Sequence, residues 1–93
     1  MSSELSADAR PRKARGMAWQ RIDGETVLLN VDGRELMGVN ATGARIWELV
    51  DGKRTVNEMA KTIAAEFTVP HDTAERDVHA FLAELLDRRV IEV

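Results

Sequence analysis

The chain has 93 residues, of which 44% are hydrophobic and 31% charged, and this length supports one small domain. It contains no cysteine, which excludes disulfides, thiolate metal sites and thiol catalysis. The formal net charge is −3, although residues 1–16 carry four basic and only two acidic side chains. An acidic folded part is poorly suited to a nucleic-acid backbone, which is bound by neutralising many phosphates.

No apolar run approaches the roughly 20 residues that span a bilayer, and the N-terminus lacks the apolar segment of a secretory signal. Residues 1–16 are polar and have no usable apolar period. We interpret them as a flexible basic arm, with contact to an acidic partner as the alternative. The expected organisation is this arm followed by one domain over residues 17–93, in a cytoplasmic protein that binds neither nucleic acid nor membrane.

Three short runs rich in apolar or β-branched residues follow the arm, at 18–22, 26–31 and 34–39. Asp23-Gly24 and Asp32-Gly33 separate them. Asp-Gly between such runs is a strong hairpin signal, because both turn positions need positive φ. The sequence therefore predicts a three-stranded antiparallel meander.

Three helices are predicted after the strands, at about 41–50, 56–67 and 73–88, from apolar residues that recur with helical period. Their ends are marked by capping signals. The signals are Asn40, the Asp51-Gly52 stop, the Thr55–Glu58 capping box and a second box formed by Asp72 and Glu75. Strands first and helices after predict an α+β fold, winged-helix-like in its topology.

Candidates for chemistry are few. His71 and His79 are the only histidines and do not have ligand spacing, so we interpret them as surface or groove-edge residues. Serine occurs only within residues 1–16, and no glycine-rich phosphate loop is present. Carboxylate pairs such as Glu84 and Asp87 fall on the polar side of the third helix. We therefore expect a protein that is not an enzyme and uses no cofactor or metal.

The third strand, residues 34–39, ends the meander and is a candidate edge strand. An edge strand has unpaired main-chain groups and can accept an incoming peptide as a further strand. The alternative is that Leu36, Met37 and Val39 are simply core and that the arm covers this edge. The third helix has an apolar arc wider than a small sheet needs, so one margin of it is free to line a groove. The sequence does not tell which margin faces the sheet.

The most specific residues are Asn40, the Thr42-Gly43-Ala44 step, Ile46-Trp47, Asp51-Gly52 and Asp77-Val78 with Phe81-Leu82. Because of these residues and their spacing, residues 17–93 resemble the PqqD family. The resemblance implies a recognition element for ribosomally made precursor peptides, which presents them to a modifying enzyme such as a radical S-adenosylmethionine enzyme or a leader peptidase. It implies that the leader adds to the third strand and lies against the third helix. The peptide-binding residues implied are Arg34, Glu35, Leu36, Met37, Gly38, Val39, Asp77, Phe81, Glu84, Leu85 and Arg88.

The chain departs from the family members of pyrroloquinoline quinone biosynthesis. They carry an APER-like sequence after the second strand, where this chain has residues 30–34, Asn-Val-Asp-Gly-Arg. Its Asn-Ala-Thr-Gly step is more typical of PqqD-like proteins in other peptide pathways, including lasso peptides. We therefore expect a general leader-binding role ahead of the quinone pathway. The alternatives are a DNA-binding winged helix and a dimerisation module whose edge strand pairs with its own copy.

Overall fold

The computed structural model describes residues 5–30 and 35–93. This part of the chain forms five strands and three helices. In chain order they are β1 (Arg12–Lys13), β2 (Met17–Ile22), β3 (Glu25–Asn30), β4 (Glu35–Val39), α1 (Ala41–Leu49), α2 (Val56–Phe67), α3 (His71–Asp87) and β5 (Ile91–Glu92). The predicted meander and the three helices after it are confirmed.

The central sheet has the order β2-β3-β4, and both pairings are antiparallel. At the first turn, Asp23 and Gly24 have φ of 51° and 83°, the two positive values that a tight hairpin of this kind needs. The predicted second turn, at Asp32-Gly33, lies outside the described residues. Trp19, Leu28 and Met37 face one another across the three strands, so they lie on one side of the sheet.

Helix α1 covers that side of the sheet. Leu28 and Val39 are buried beneath it. The Trp47 ring of α1 meets the Trp19 ring edge to face, with centroids 5.4 Å apart. The core continues between the three helices through residues that are almost fully buried: Ile46, Met59, Ile63, Val78, Leu82 and Leu85. None of the described helices combines the length and apolar composition needed to cross a bilayer.

Local signals determine most helix ends. Asn40 caps α1, since its Oδ1 accepts a hydrogen bond from the Gly43 N–H at 2.8 Å. The Thr55–Glu58 capping box at α2 is complete in both directions. The predicted box of Asp72 with Glu75 is wrong. Helix α3 begins at His71, two residues earlier than expected, after an extended Pro70 and without a side-chain cap.

The flexible arm is the main prediction that the structure corrects, since residues 5–16 pack against the domain. Leu5 is buried, with only 3% of its surface exposed. Strand β1 pairs antiparallel with β5, Arg12 opposite Glu92. Three carbonyls of this segment accept main-chain hydrogen bonds at 2.8–3.0 Å. Those bonds are Val56 N–H to Ala9 O, Asn57 N–H to Ala7 O and Gly52 N–H to Pro11 O.

Lys13 fixes the end of this segment to α1. Its Nζ donates to the Val50 carbonyl at 2.7 Å and lies 4.9 Å from the centroid of the Trp47 ring and 5.2 Å from that of Trp19. Burial lowers the pKa of the Lys13 ammonium, against the opposing effect of Asp51 and Glu48. Residues 5–16 are polar and lack an apolar period, and they pack against the domain because their main-chain groups form hydrogen bonds with it.

Candidate functional site

Strand β4 is one of the two edges of the central sheet, and β2 is the other. The only strand partner of β4 among residues 5–30 and 35–93 is β3. The β1–β5 pair forms a separate two-stranded sheet, so the N-terminal segment does not pair with β4. The main-chain groups along the other side of β4 are therefore available to an incoming strand as far as the described chain is concerned.

One margin of α3 faces the end of β4. A Cβ built at Gly43 would lie 3.1 Å from Phe81 Cζ and 3.2 Å from Val39 Cβ, tighter than ordinary van der Waals contact. Gly43 is thus what allows the Phe81 ring to approach α1 and β4 so closely. Asp77, Phe81 and Glu84 follow at helical spacing on the same margin of α3. We call Asp77, Phe81, Glu84 and Arg88 the cleft margin.

A cleft with a volume of about 410 Å³ opens between the cleft margin and the start of α1. We call it the α1–α3 cleft. Residues from both helices line it, including Asn40, Thr42 and Gly43 on one side and Asp77, Phe81 and Glu84 on the other. Because Asn40 directly follows β4, the cleft continues the line of the free sheet edge.

The cleft margin is acidic. Arg88 Nε lies 3.3 Å from Glu84 Oε2, and both side chains are largely exposed. Asp77 is exposed and has no ion pair or hydrogen bond with the described residues. Glu35 adds a further exposed carboxylate on β4. Among the described residues, the three carboxylates Glu35, Asp77 and Glu84 therefore outnumber the one cation of the cleft margin, Arg88.

The structure separates the predicted peptide-binding residues into three groups. Glu35, Leu36, Gly38, Asp77, Glu84 and Arg88 are exposed, and Met37 and Phe81 are half-buried. Val39 and Leu85 are buried, so they support the groove from beneath. Leu85 was expected in the wall of the groove, but it is fully buried in the core. Arg34 lies outside the described residues.

Alternation along β4 divides its apolar side chains between two faces. Met37 points to the side covered by α1, whereas Leu36 points to the opposite side and is 71% exposed. Leu36 and Met37 therefore cannot line the same pocket. The residues that sequence reasoning missed are Thr42 and Gly43, although the Asn-Ala-Thr-Gly step had marked both of them.

The histidines do not build a convincing metal site. Atoms of His71, Asp72 and Glu75 lie within 4.8 Å of one another, but all three residues are exposed near the N-terminal end of α3. His79 has a structural contact, since its Nε2 lies 2.7 Å from the Leu5 carbonyl and donates to it. Both histidines thus match the surface or groove-edge interpretation better than a ligand role.

Comparison with known proteins identifies the family. The family model for PqqD, described as coenzyme PQQ synthesis protein D, matches residues 25–91. The chain belongs to the PqqD family. A PqqA binding protein of Rhizobium meliloti is 30% identical over 91 residues, covering 96% of this chain and 91% of that protein. A PqqA binding protein of Gluconobacter oxydans is 38% identical over 53 residues, which span 57% of this chain and 55% of that relative's length.

Solved structures of the same fold include members bound to peptides. TbiB1 in complex with the TbiA(beta) leader peptide is 32% identical, with a TM-score of 0.78 over 87% of this chain and 94% of that one. The PqqD part of Methylobacterium extorquens PqqCD, described as a stand-alone recognition element for ribosomally synthesised and modified peptides, is 25% identical. Its TM-score is 0.81 over 96% of this chain and 95% of that one. These PqqD-family likenesses agree with the α+β fold described above.

Proposed function

We propose that this chain is a non-catalytic recognition element that binds the leader segment of a ribosomally synthesised precursor peptide and presents the peptide to a modifying enzyme. The observation that carries the proposal is the free edge of β4, which runs into the α1–α3 cleft. The PqqA binding relative and the leader complex of TbiB1 support the same role.

The mechanism is strand addition. A leader in extended conformation pairs with β4 through main-chain hydrogen bonds, which give affinity with little dependence on sequence. Side chains of the leader then contact the cleft margin, and these contacts select the sequence. No step requires a nucleophile, a metal or a cofactor from this chain.

The modifying enzyme acts after the leader is held. We propose a radical S-adenosylmethionine enzyme or a leader peptidase as its class, in the cytoplasm. TbiB1 is bound to the TbiA(beta) leader peptide, whereas the curated relatives are named for binding PqqA, and the proposed mechanism is the same for either peptide.

Titration of the ¹⁵N-labelled chain with the leader peptide encoded beside its gene tests the proposal. We expect saturable amide shifts along β4 and on the cleft margin, with small shifts near His79 on the opposite side of α3. Absence of saturation, or shifts concentrated near His79, would contradict the proposed site.

The free edge also suits self-pairing, in which two copies join through β4. Self-pairing and leader binding need the same main-chain groups, so they compete. Sedimentation with and without leader distinguishes them, because a dimer joined through β4 dissociates as leader is added. DNA binding fits the surface less well, since the exposed side of α3 has more acidic than basic side chains within His71–Asp87.

A further inference from the structure

We infer that the α1–α3 cleft holds a basic side chain, Lys or Arg, from the bound leader. This inference rests on the proposed function and names the class of peptide that the groove selects. Its basis is the juxtaposition of an apolar floor with two carboxylates at the rim of one cleft.

The floor of the cleft is apolar and well packed. The Phe81 ring lies so close to Gly43 that a Cβ there would be 3.1 Å from Phe81 Cζ, and Ile46, which also lines the cleft, is buried. The volume of about 410 Å³ is enough for one long side chain from a strand leaving β4. Such a floor suits the methylene stem of Lys or Arg, and the Phe81 ring can also face a cationic group.

The rim of the cleft is acidic at both ends. Asp77 and Glu84 flank Phe81 and are seven residues apart, about 10 Å along the helix. Glu84 forms an ion pair with Arg88, whose Nε lies 3.3 Å from Glu84 Oε2. Asp77 has no cation within salt-bridge distance among the described residues. Asp77 is therefore the carboxylate that a guest ammonium or guanidinium would neutralise first.

Within residues 5–30 and 35–93, no Lys or Arg forms an ion pair with Asp77. Arg45 on α1 donates to Glu66 at 2.7 and 2.8 Å and to Glu48 at 3.0 Å, on the side of α1 that faces α2. Lys13 is held by the Val50 carbonyl. Charge complementarity thus favours a cationic guest over an acidic one or a purely apolar one.

A displayed library of random 12-residue peptides tests the inference without knowledge of the natural leader. We expect the unmodified chain to recover peptides that share a Lys or Arg at one position. The double variant Asp77→Asn/Glu84→Gln should bind a recovered peptide about fivefold or more weakly at low salt, as loss of partly exposed ion pairs predicts. The charge-reversed variant Asp77→Lys should select Asp or Glu at that position instead.

The matched control is Asp72→Asn/Glu75→Gln, which removes the same charge from the other side of α3 and should change affinity less than twofold. Thermal melting verifies that each variant folds. Recovered peptides with no basic preference, or with a preference that the control removes equally well, would overturn this inference alone. Recovery of no peptide at all would contradict the proposed function as well, so the two failures are distinguishable.

Discussion

The two sides of α3 differ in whether another segment of the chain lies against them. On one side, which we call the covered margin, His79 donates to the Leu5 carbonyl, and residues 5–9 pass the start of α2 through a turn in which the Ala9 N–H donates to the Ser6 carbonyl. On the other side, the cleft margin faces the free edge of β4 with no described segment across it.

This difference shows that one side of α3 is already occupied by the chain itself, whereas the other side is open among the described residues. The N-terminal segment is held through carbonyls that accept main-chain hydrogen bonds, together with one buried apolar anchor, Leu5. The leader is also proposed to bind through main-chain hydrogen bonds, but it makes them with β4 and places a basic side chain in the α1–α3 cleft. The two sides of α3 thus share main-chain docking and differ in the side chain that each accepts.

The largest expected effect is on the free energy of unfolding, and it distinguishes the buried face of α3 from the cleft margin. Leu85→Ala should lower the free energy of unfolding by about 2–5 kcal/mol, because it leaves a cavity in a fully buried position. Phe81→Ala should cost less stability, since its ring is only half-buried, yet weaken leader binding more. Urea unfolding and leader titration measure the two effects. Equal stability losses with equal binding losses would contradict this division.

Truncation of Leu5 tests how much the covered margin contributes to stability. Leu5→Ala should lower the free energy of unfolding by about 1–3 kcal/mol, because a nearly buried apolar side chain is truncated near a chain end. Ser6→Ala, at an exposed neighbour, is the control and should have little effect. Leader affinity should stay within twofold in both variants. A loss of leader binding in Leu5→Ala at a temperature where it is folded would show that the margins are coupled.

Gly43 offers a sharper test of the cleft margin. Gly43→Ala forces the Phe81 ring to move by a few tenths of an ångström, so we expect leader binding to weaken by about tenfold. Stability should change by less than about 1 kcal/mol, since alanine favours the helix while the contact opposes it. Ala65→Gly is the control, because it changes helix propensity at an exposed position of α2 that is not part of the proposed site. Similar binding losses in both variants would argue against Phe81 as the floor.

The smallest expected effect concerns pH and lies away from both margins. The Arg45 guanidinium holds the pKa of the Glu66 carboxyl below its ordinary value of 4.5, and the Thr55 N–H does the same for Glu58. Carboxylates with lowered pKa stabilise the fold above that value, and this contribution is lost as the pH falls through the folded pKa. The free energy of unfolding should therefore decrease below about pH 4.5.

Glu66→Gln should make that decrease shallower, and Glu75→Gln on the exposed face of α3 is the control. Urea unfolding at several pH values between 3 and 6 provides the measurement. A slope unchanged by Glu66→Gln would mean that the Arg45 contact does not form in solution.

Local signals explain why most of the fold could be predicted. Asn40, the Thr55–Glu58 box and Asp23-Gly24 act within four residues, so their effects are encoded side by side in the sequence. The helix bounds at 56–67 were predicted without error for the same reason. The family resemblance implied the four residues of the cleft margin as peptide-binding residues, and their role in binding stays a prediction.

What could not be predicted depends on distant partners. The order of residues 5–16 comes from main-chain pairing with residues 52–57 and 91–92, which leaves no side-chain pattern. Leu85 was misplaced because the helical period defines an apolar arc but not the boundary between its buried centre and its margin. Which margin of α3 faces β4 could not be predicted, because it is determined by the contact between Phe81 and Gly43, two residues that lie 38 positions apart in sequence.

The paired indoles have a practical consequence. The chain contains two tryptophans and no tyrosine, so its ultraviolet emission comes from Trp19 and Trp47 alone. The Lys13 ammonium lies within 5.2 Å of both rings, and the buried Trp47 Nε1 has no hydrogen-bond partner. Detachment of the N-terminal segment would remove the Lys13 ammonium from both rings and expose more of the buried Trp47, which would shift the emission spectrum. The protein therefore carries a label-free optical reporter for the loosening of its own first residues, which can be followed during unfolding or peptide addition without introducing a dye.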